Sequence, residues 1–209
     1  SEMCIRDSGQ RAENIEGAQM IVYTAALLPD NPELCAAKAS GIPTFERKEL
    51  LGAITRMFDD CICVCGTHGK TTTTSMCTHI FMAAEQDPTV MIGGTLPLLH
   101  SGYRVGHGDT IILESCEYCN SFLSFYPTVA VILNVEADHL DFFKDLGDIQ
   151  HSFRSFAELV PQETGHVVAN YDNASARTAL NGLDRPLFWF SLHDPKADCH
   201  ACLLYTSDA

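Results

Sequence analysis

Apolar residues fall into short runs separated by stretches of helical spacing. Gln19–Thr24 (QMIVYT) is an apolar, β-branched run that predicts a buried strand. Asn31-Pro32 then predicts the opening of a helix through Glu33–Ser40, with Gly41 where a helix-ending glycine belongs. Ile42–Phe45 reads as a short strand. Within Lys48–Phe58, Leu50, Leu51, Ile54, Met57 and Phe58 recur at helical spacing. This β-α-β-α stretch predicts the end of a small doubly wound unit, with a boundary near Phe58–Asp60.

A longer pattern follows. Cys61–Cys65 predicts a strand, a glycine-bearing turn comes next, and Thr71–Glu85 reads as a helix. Thr89–Ile92 is a short strand entering Gly93-Gly94, and Thr110–Glu114 is an apolar strand ending in an acid. Val129–Val135 is another, ending just before Glu136-Ala137-Asp138-His139. Asp148–Leu159 predicts a helix with Ile149, Phe153, Phe156 and Leu159 on one face. His166–Asn170 reads as a strand, Asn173–Leu180 as a helix and Leu187–Ser191 as a strand. Apolar strands alternating with helices predict an α/β fold, a doubly wound and mainly parallel sheet covered on both faces.

Both ends break the pattern. Ser1–Ser8 (SEMCIRDS) and Cys202–Ala209 (CLLYTSDA) continue nothing in their neighbours and read as non-native. The expected native domains are 9–58 and 59–201.

Composition sharpens the class. Of 209 residues, 46% are hydrophobic and 19% charged, which is globular rather than disordered. No run approaches the ~18–20 apolar residues of a membrane span. Thirteen Lys plus Arg against 27 Asp plus Glu give a net charge of −14, which argues against nucleic-acid or anionic-membrane partners. The ten cysteines suggest a disulfide scaffold until their positions are read. Cys61, Cys63 and Cys65 alternate within a strand and Cys77 sits in a helical pattern, so they read as small buried hydrophobes in a reducing cytoplasm. Cys116-x-x-Cys119 and Cys199-x-x-Cys202 have zinc-like spacing but lack the hairpin pattern of a zinc ribbon.

The strongest chemical signal is Gly66-Thr67-His68-Gly69-Lys70-Thr71, between an apolar strand and a helix. Glycines let backbone N–H groups turn toward a phosphate, and the helix start adds its positive end. In such a loop Lys70 supplies a point charge for the β- and γ-phosphates and Thr71 offers a hydroxyl to Mg²⁺. Thr72 is a further phosphate donor, while Thr73 and Thr74 are expected to bond their hydroxyls to backbone. One departure stands out: the residue five before the second glycine is Val64, not glycine, so the loop is a shortened variant.

Ligands of open α/β sheets bind outside the carboxyl ends of the strands. Glu114 closes one strand, and EADHLD (Glu136–Asp141) follows another. If those strands adjoin the loop strand, Glu114 and His139 face the triphosphate, with Glu114 as a hard oxygen ligand for Mg²⁺. A histidine is a less typical magnesium ligand, and Asp138 and Asp141 also suit turn or capping roles.

These residues resemble the Mur (muramyl) ligases, ATP-dependent amide-forming enzymes of peptidoglycan synthesis. The resemblance runs from about Gly17 to Ala201, through YTAALLPDNPEL (Tyr23–Leu34), GTHGKTTTT (Gly66–Thr74), ESCEYCNSFLSFYP (Glu114–Pro127) and NVEADHLDFF (Asn134–Phe143). His68 and the ADHLD element are similar to the alanine-adding branch. The resemblance implies a truncated Rossmann-like domain for the uridine diphosphate group, a central ATPase domain, and an absent C-terminal domain that helps bind the amino acid. It implies ATP and Mg²⁺ as cofactors, UDP-N-acetylmuramate and L-alanine as substrates, and Gly66–Thr72 as the ATP loop. Lys70, Glu114 and His139 are the implied catalytic set, with Thr71, Glu114 and His139 on the metal. Asn170 is a weaker candidate for adenine contact. Several ligases of the group carry a carbamylated lysine after the DHLD element. Phe153-Arg154 stands in that region here, so none is expected.

Two alternatives stay open. One is a ligase that reattaches recycled murein peptide to the same nucleotide sugar. The other is a non-catalytic nucleotide-binding module, which needs the loop but no second metal position.

Overall fold

The computed structural model of the chain describes residues 9–201. The two terminal octamers, and Cys202 with them, lie outside the described residues. The chain divides into two compact units, Ser1–Ala53 and Ile54–Ala209.

The first unit pairs β1 (Ile21–Tyr23) with β2 (Thr44–Glu46) in parallel, joined through α1 (Pro32–Ser40). Asn31 caps α1 by accepting a hydrogen bond from Leu34 N at 3.0 Å, Pro32 fills the first helical position, and Gly41 ends the helix at φ 75°. The following helix, α2 (Arg47–Thr55), is shorter than its apolar spacing predicts. Met57, expected on its apolar face, is 80% exposed beyond the helix end.

The second unit is an eight-stranded sheet. Its elements are β3 (Asp60–Cys65), α3 (Lys70–Ala83), β4 (Thr89–Leu96), β5 (Ser101–Arg104), β6 (Thr110–Glu114), β7 (Val129–Ile132), α4 (Leu146–Glu158), β8 (His166–Asn170), α5 (Ala174–Leu180), β9 (Leu187–Ser191) and β10 (Cys199–His200). The strand order is β10-β9-β8-β7-β3-β6-β4-β5. Every pairing is parallel except β4 with β5. The centre is buried on both faces: Cys61, Cys63, Val64, Cys65, Ile112, Ala130 and Ile132 are all solvent-free. The alternating cysteines are thus core residues. Burial pushes the Cys63 and Cys65 thiols well above the usual range, which keeps them protonated and inert.

Several elements depart from the sequence pattern. β4 runs through Gly93-Gly94 to Leu96 instead of stopping at Ile92, because it turns back on itself to pair with the unforeseen β5. β7 stops at Ile132, three residues early, where the backbone leaves the sheet to brace the loop after β3. Leu159 lies past the end of α4 and is 41% exposed, whereas Ile149, Phe153 and Phe156 are buried. Thr74, expected to bond its hydroxyl to backbone, buries that oxygen without a partner. Its place on the covered side of α3 puts the side chain in the packed interior, where the methyl group gains what the hydroxyl forfeits.

A short 3-10 segment, Tyr118–Ser124, leaves the end of β6 and is pinned to α4 by aromatic packing. Phe122 stacks on Phe156 at 4.5 Å between centroids and meets Phe153 edge-on at 5.4 Å, all three fully buried.

At the sheet edge, Asp87 ties the segment entering β4 to the end of β5, at the open end of that hairpin. It accepts hydrogen bonds from the Arg104 guanidinium and from His107 N. The Arg104 contact foremost, then the His107 amide, lowers its carboxyl pKa to about 2. A depressed carboxylate stabilises the fold above its unfolded value and loses that contribution as pH falls through the folded one. Thermal melts of wild type and Asp87→Asn therefore differ at neutral pH and converge near about pH 2. An equal offset at both pH values contradicts this role.

Candidate active site

The site grows from the end of β3. The residues after Gly66 cannot continue the sheet, because Gly66 sits at φ +142° and Gly69 at φ +84°. At Gly66 a Cβ would come within 3.0 Å of Leu133 Cβ and 3.1 Å of Asn134 N, so glycine alone fits. Val64, the position that departs from the longer loop pattern, is an ordinary buried strand residue paired with Glu114. The strand therefore continues through Cys65, and the loop proper is Gly66–Gly69, with α3 beginning at Lys70.

The chain after β7 holds this loop. Thr67 N donates to Asn134 O at 3.2 Å and His68 N to Asn134 Oδ1 at 2.8 Å. Asn134 Nδ2 returns a hydrogen bond to His68 O at 3.0 Å, and Glu136 N donates to Thr67 Oγ1 at 3.0 Å. The His68 side chain points outward, 69% exposed, with Nε2 3.7 Å from Glu136 Oε2. Thr72 is exposed on the first turn of α3.

Lys70 folds back over its own loop. Nζ donates to Gly66 O at 2.5 Å, Thr67 O at 3.2 Å and Glu117 Oε2 at 3.1 Å, and its side chain is only 14% exposed. Glu117 is 3% exposed, a buried carboxylate whose charge the lysine compensates. Beside this pair, Thr71 Oγ1 donates to Glu114 Oε2 at 2.9 Å, and Gly93 N donates to the same oxygen at 2.8 Å. A Cβ on Gly93 would stand 3.0 Å from both Glu114 oxygens. The structure thus brings Glu114 to Thr71 as the strand-end reading expects.

His139 lies on the other flank. Its backbone is left-handed at φ 52°, uncommon for a non-glycine residue. Its ring packs 4.8 Å from that of Tyr118, and Nε2 is 4.0 Å from Glu117 Oε1 and from Asp138 Oδ2. Tyr118 OH donates to Asp141 Oδ2 at 2.9 Å, which raises the tyrosine pKa and keeps the hydroxyl protonated. The ring contacts of His139 are therefore on the Lys70–Glu117 side, not with Thr71. Burial also raises the Cys116 thiol, with Glu117 and Glu114 adding to the effect, which favours its protonated form.

Asn170 stands apart from the loop. At the end of β8 its Oδ1 accepts from Asp172 N at 2.9 Å, and the neighbouring concavity is lined by Tyr171, Asp172, Arg177 and His193. Phe153 is buried in the aromatic cluster. Arg154 pairs with Glu158 at 2.7 Å and donates to Asn181 O and Gly182 O, so this stretch anchors α4 to the end of α5.

Glu117, Asn134, Gly93 and Tyr118 are the site residues that the pattern of runs missed. Glu117 had a signal: a second acid three residues after a strand-end acid, among aromatic and small residues rather than solvated ones. Asn134 had only its place just past an apolar run.

The oxygen donors of Thr71 and Glu114 suit a hard cation such as Mg²⁺, which takes one or two protein ligands and fills its shell with water and phosphate. Among the described residues no group of three or more His, Cys, Asp or Glu forms a closed metal cluster. The zinc reading of Cys116-x-x-Cys119 thus has no support among them.

Comparison with known proteins shows the family. The family model described as the Mur ligase middle domain matches residues 64–207, and that of the Mur ligase family, catalytic domain, matches residues 8–59. The UDP-N-acetylmuramate–L-alanine ligase of Agathobacter rectalis is 56% identical over 150 residues, covering 71% of this chain and 33% of that protein. The ligase of the same name from Acetivibrio thermocellus is 45% identical over 190 residues, covering 91% of the chain and 40% of that protein. The chain thus spans well under half the length of these curated relatives. Among solved structures, the UDP-N-acetylmuramate:L-alanyl-γ-D-glutamyl-meso-diaminopimelate ligase of Neisseria meningitidis aligns with a TM-score of 0.79 at 26% identity, covering 88% of this chain and 62% of that one. The UDP-N-acetylmuramate–alanine ligase of Thermotoga maritima aligns at 0.76 and 25% identity, covering 88% and 41%.

Because a Cβ on Gly93 would crowd both Glu114 oxygens and push the carboxylate off its place, Gly93→Ala weakens magnesium-dependent nucleotide binding roughly tenfold. Titration calorimetry with unchanged melting temperature checks it, and unaltered binding contradicts it.

Proposed function

The chain belongs to the Mur ligase family, and from that we propose that its protein joins L-alanine to the lactyl carboxylate of UDP-N-acetylmuramate, driven by ATP. The reading is supported above all by one observation: the Lys70 ammonium and the Thr71–Glu114 oxygen pair stand together on a glycine loop at the ends of adjoining parallel strands. The identity of 56% and 45% to ligases that carry the alanine name favours the amino acid over a recycled peptide.

The chemistry follows from charge. The lactyl carboxylate attacks the γ-phosphate of ATP, giving an acyl phosphate and ADP. The alanine amine then attacks the acyl carbonyl, and phosphate leaves as the amide forms. The first step drives two anions together, so the site must supply fixed positive charge. Lys70 provides it at the terminal phosphates. Asn134 takes the N–H groups of Thr67 and His68, so the N–H groups at the start of α3, Gly69–Thr72, are the ones that bind the remaining phosphate oxygens. Thr71 and Glu114 would hold Mg²⁺, which supplies further neutralisation when bound. His139 is the third candidate for the metal, its Nε2 lying 4.0 Å from Glu117 Oε1 on the Lys70 side of the loop. No side-chain nucleophile is required. Asn170 remains the candidate for adenine contact. The reaction is assigned to the cytoplasm, and no helix among the described residues is long and apolar enough to cross a membrane.

The test is phosphate release by the longest natural protein carrying this sequence, given ATP, Mg²⁺ and UDP-N-acetylmuramate. L-alanine is expected to stimulate release, and Lys70→Gln to lower it by roughly a hundredfold or more with the fold intact. Stimulation by murein peptide alone would instead favour the recycling reaction. Unchanged turnover in Lys70→Gln removes the role given to that lysine.

A further inference from the structure

The buried acid beside the loop lysine has no part in that reaction scheme. Glu117 is 3% exposed, yet it sits against the one group that must meet the triphosphate. Lys70 Nζ has three hydrogens, and Gly66 O, Thr67 O and Glu117 Oε2 already engage it. Of the residues joined in these contacts, Lys70 is the only fixed cation, against the carboxylates of Glu114, Glu117 and Glu136. Glu117 therefore cancels the charge of the lysine, and the Thr71–Glu114 pair leaves the pocket net negative. Backbone N–H groups orient phosphates but carry no net charge to offset this.

We propose that Glu117 is a specificity-determining residue that makes the loop reject metal-free nucleotide and accept only the magnesium complex. The inference rests on the ATP reading given above. A free triphosphate carries close to four negative charges into a pocket whose lysine is neutralised. The magnesium complex carries about two fewer, and its cation meets Glu114 and Thr71 instead of adding to the repulsion. Phe122, buried among the α4 aromatics, fixes the segment that follows Glu117, so the acid cannot easily swing away. The rotation of the lysine from Glu117 to phosphate is thereby tied to arrival of the metal. This excludes nucleotide bound without the ion that the transfer step needs.

The experiment is equilibrium binding by calorimetry on the longest natural protein, wild type against Glu117→Gln and Glu117→Asp, with ATP in EDTA and with ATP plus Mg²⁺. Glu117→Gln is expected to bind metal-free ATP about tenfold more tightly than wild type, since removing a unit charge a few ångströms from the phosphates is worth at least that. Its gain with the magnesium complex is smaller, so the preference narrows, while Glu117→Asp keeps the wild-type preference. Equal metal-free affinity in wild type and Glu117→Gln overturns the proposal. Failure of wild type to bind ATP even with Mg²⁺ instead overturns the nucleotide reading beneath it. Should Glu117→Gln melt below the assay temperature, wild type alone decides. In EDTA it must bind ADP more tightly than ATP, and the reverse order overturns the proposal.

Discussion

Register between three parallel strands fixes the chemistry of this chain. Val64 stands opposite Glu114 on one side of β3, and Cys65 stands opposite Ile132 on the other. Beyond the last pairs, Ser115 N still bonds Val64 O and Leu133 N bonds Cys65 O. The strands therefore stop side by side, and whatever follows each one is delivered to the same edge. A glycine loop follows β3, two acids follow β6, and Asn134 with the histidine element follows β7. A slip of one residue in the β3–β6 pairing would turn Glu114 to the opposite face of the sheet and separate it from Thr71.

The solvent-free cysteines and aliphatics of the sheet centre make that register costly to lose, since each slip would expose apolar surface worth a few kcal/mol per side chain. Stability and function are thus coupled through the same strands. The loop itself is held less by burial than by hydrogen bonds: Asn134 bonds the His68 backbone on both its donor and its acceptor. The aromatic cluster of Phe122, Phe153 and Phe156 does the corresponding work for the segment that carries Glu117 and Tyr118. The Lys70 ammonium is held by hydrogen bonds to oxygen acceptors alone, the kind of partner that phosphate oxygens can replace.

Much of this could be read from residue pattern because parallel α/β architecture writes itself plainly. Fully buried strands appear as continuous apolar runs, and β6, β8 and β9 begin and end where those runs do. Gly66, Lys70, Thr71 and Glu114 were legible because glycine, lysine and acid types at strand ends have few other uses. The rest was hidden for particular reasons. β5 pairs antiparallel to β4 through an irregular register with glycines in its path, which leaves no clean alternation. β10 has two residues and both are exposed. Glu117 was obscured because burial of an acid depends on a partner 47 residues away in sequence. Asn170 carried a strand-end signal as good as that of Glu114, but β7 lies between its strand and β3, and its Oδ1 accepts from Asp172 N in its own turn, so sequence alone could not place it at the loop.

The central claim is that Lys70 leaves Glu117 for a terminal phosphate while Thr71 and Glu114 take the cation beside it. A crystal structure of the natural protein with a non-hydrolysable ATP analogue and Mg²⁺ tests it most directly. The account predicts Lys70 Nζ on the terminal phosphate and the metal in contact with Thr71 Oγ1 and Glu114. Nucleotide bound elsewhere, with the Lys70–Glu117 pair undisturbed, would contradict it.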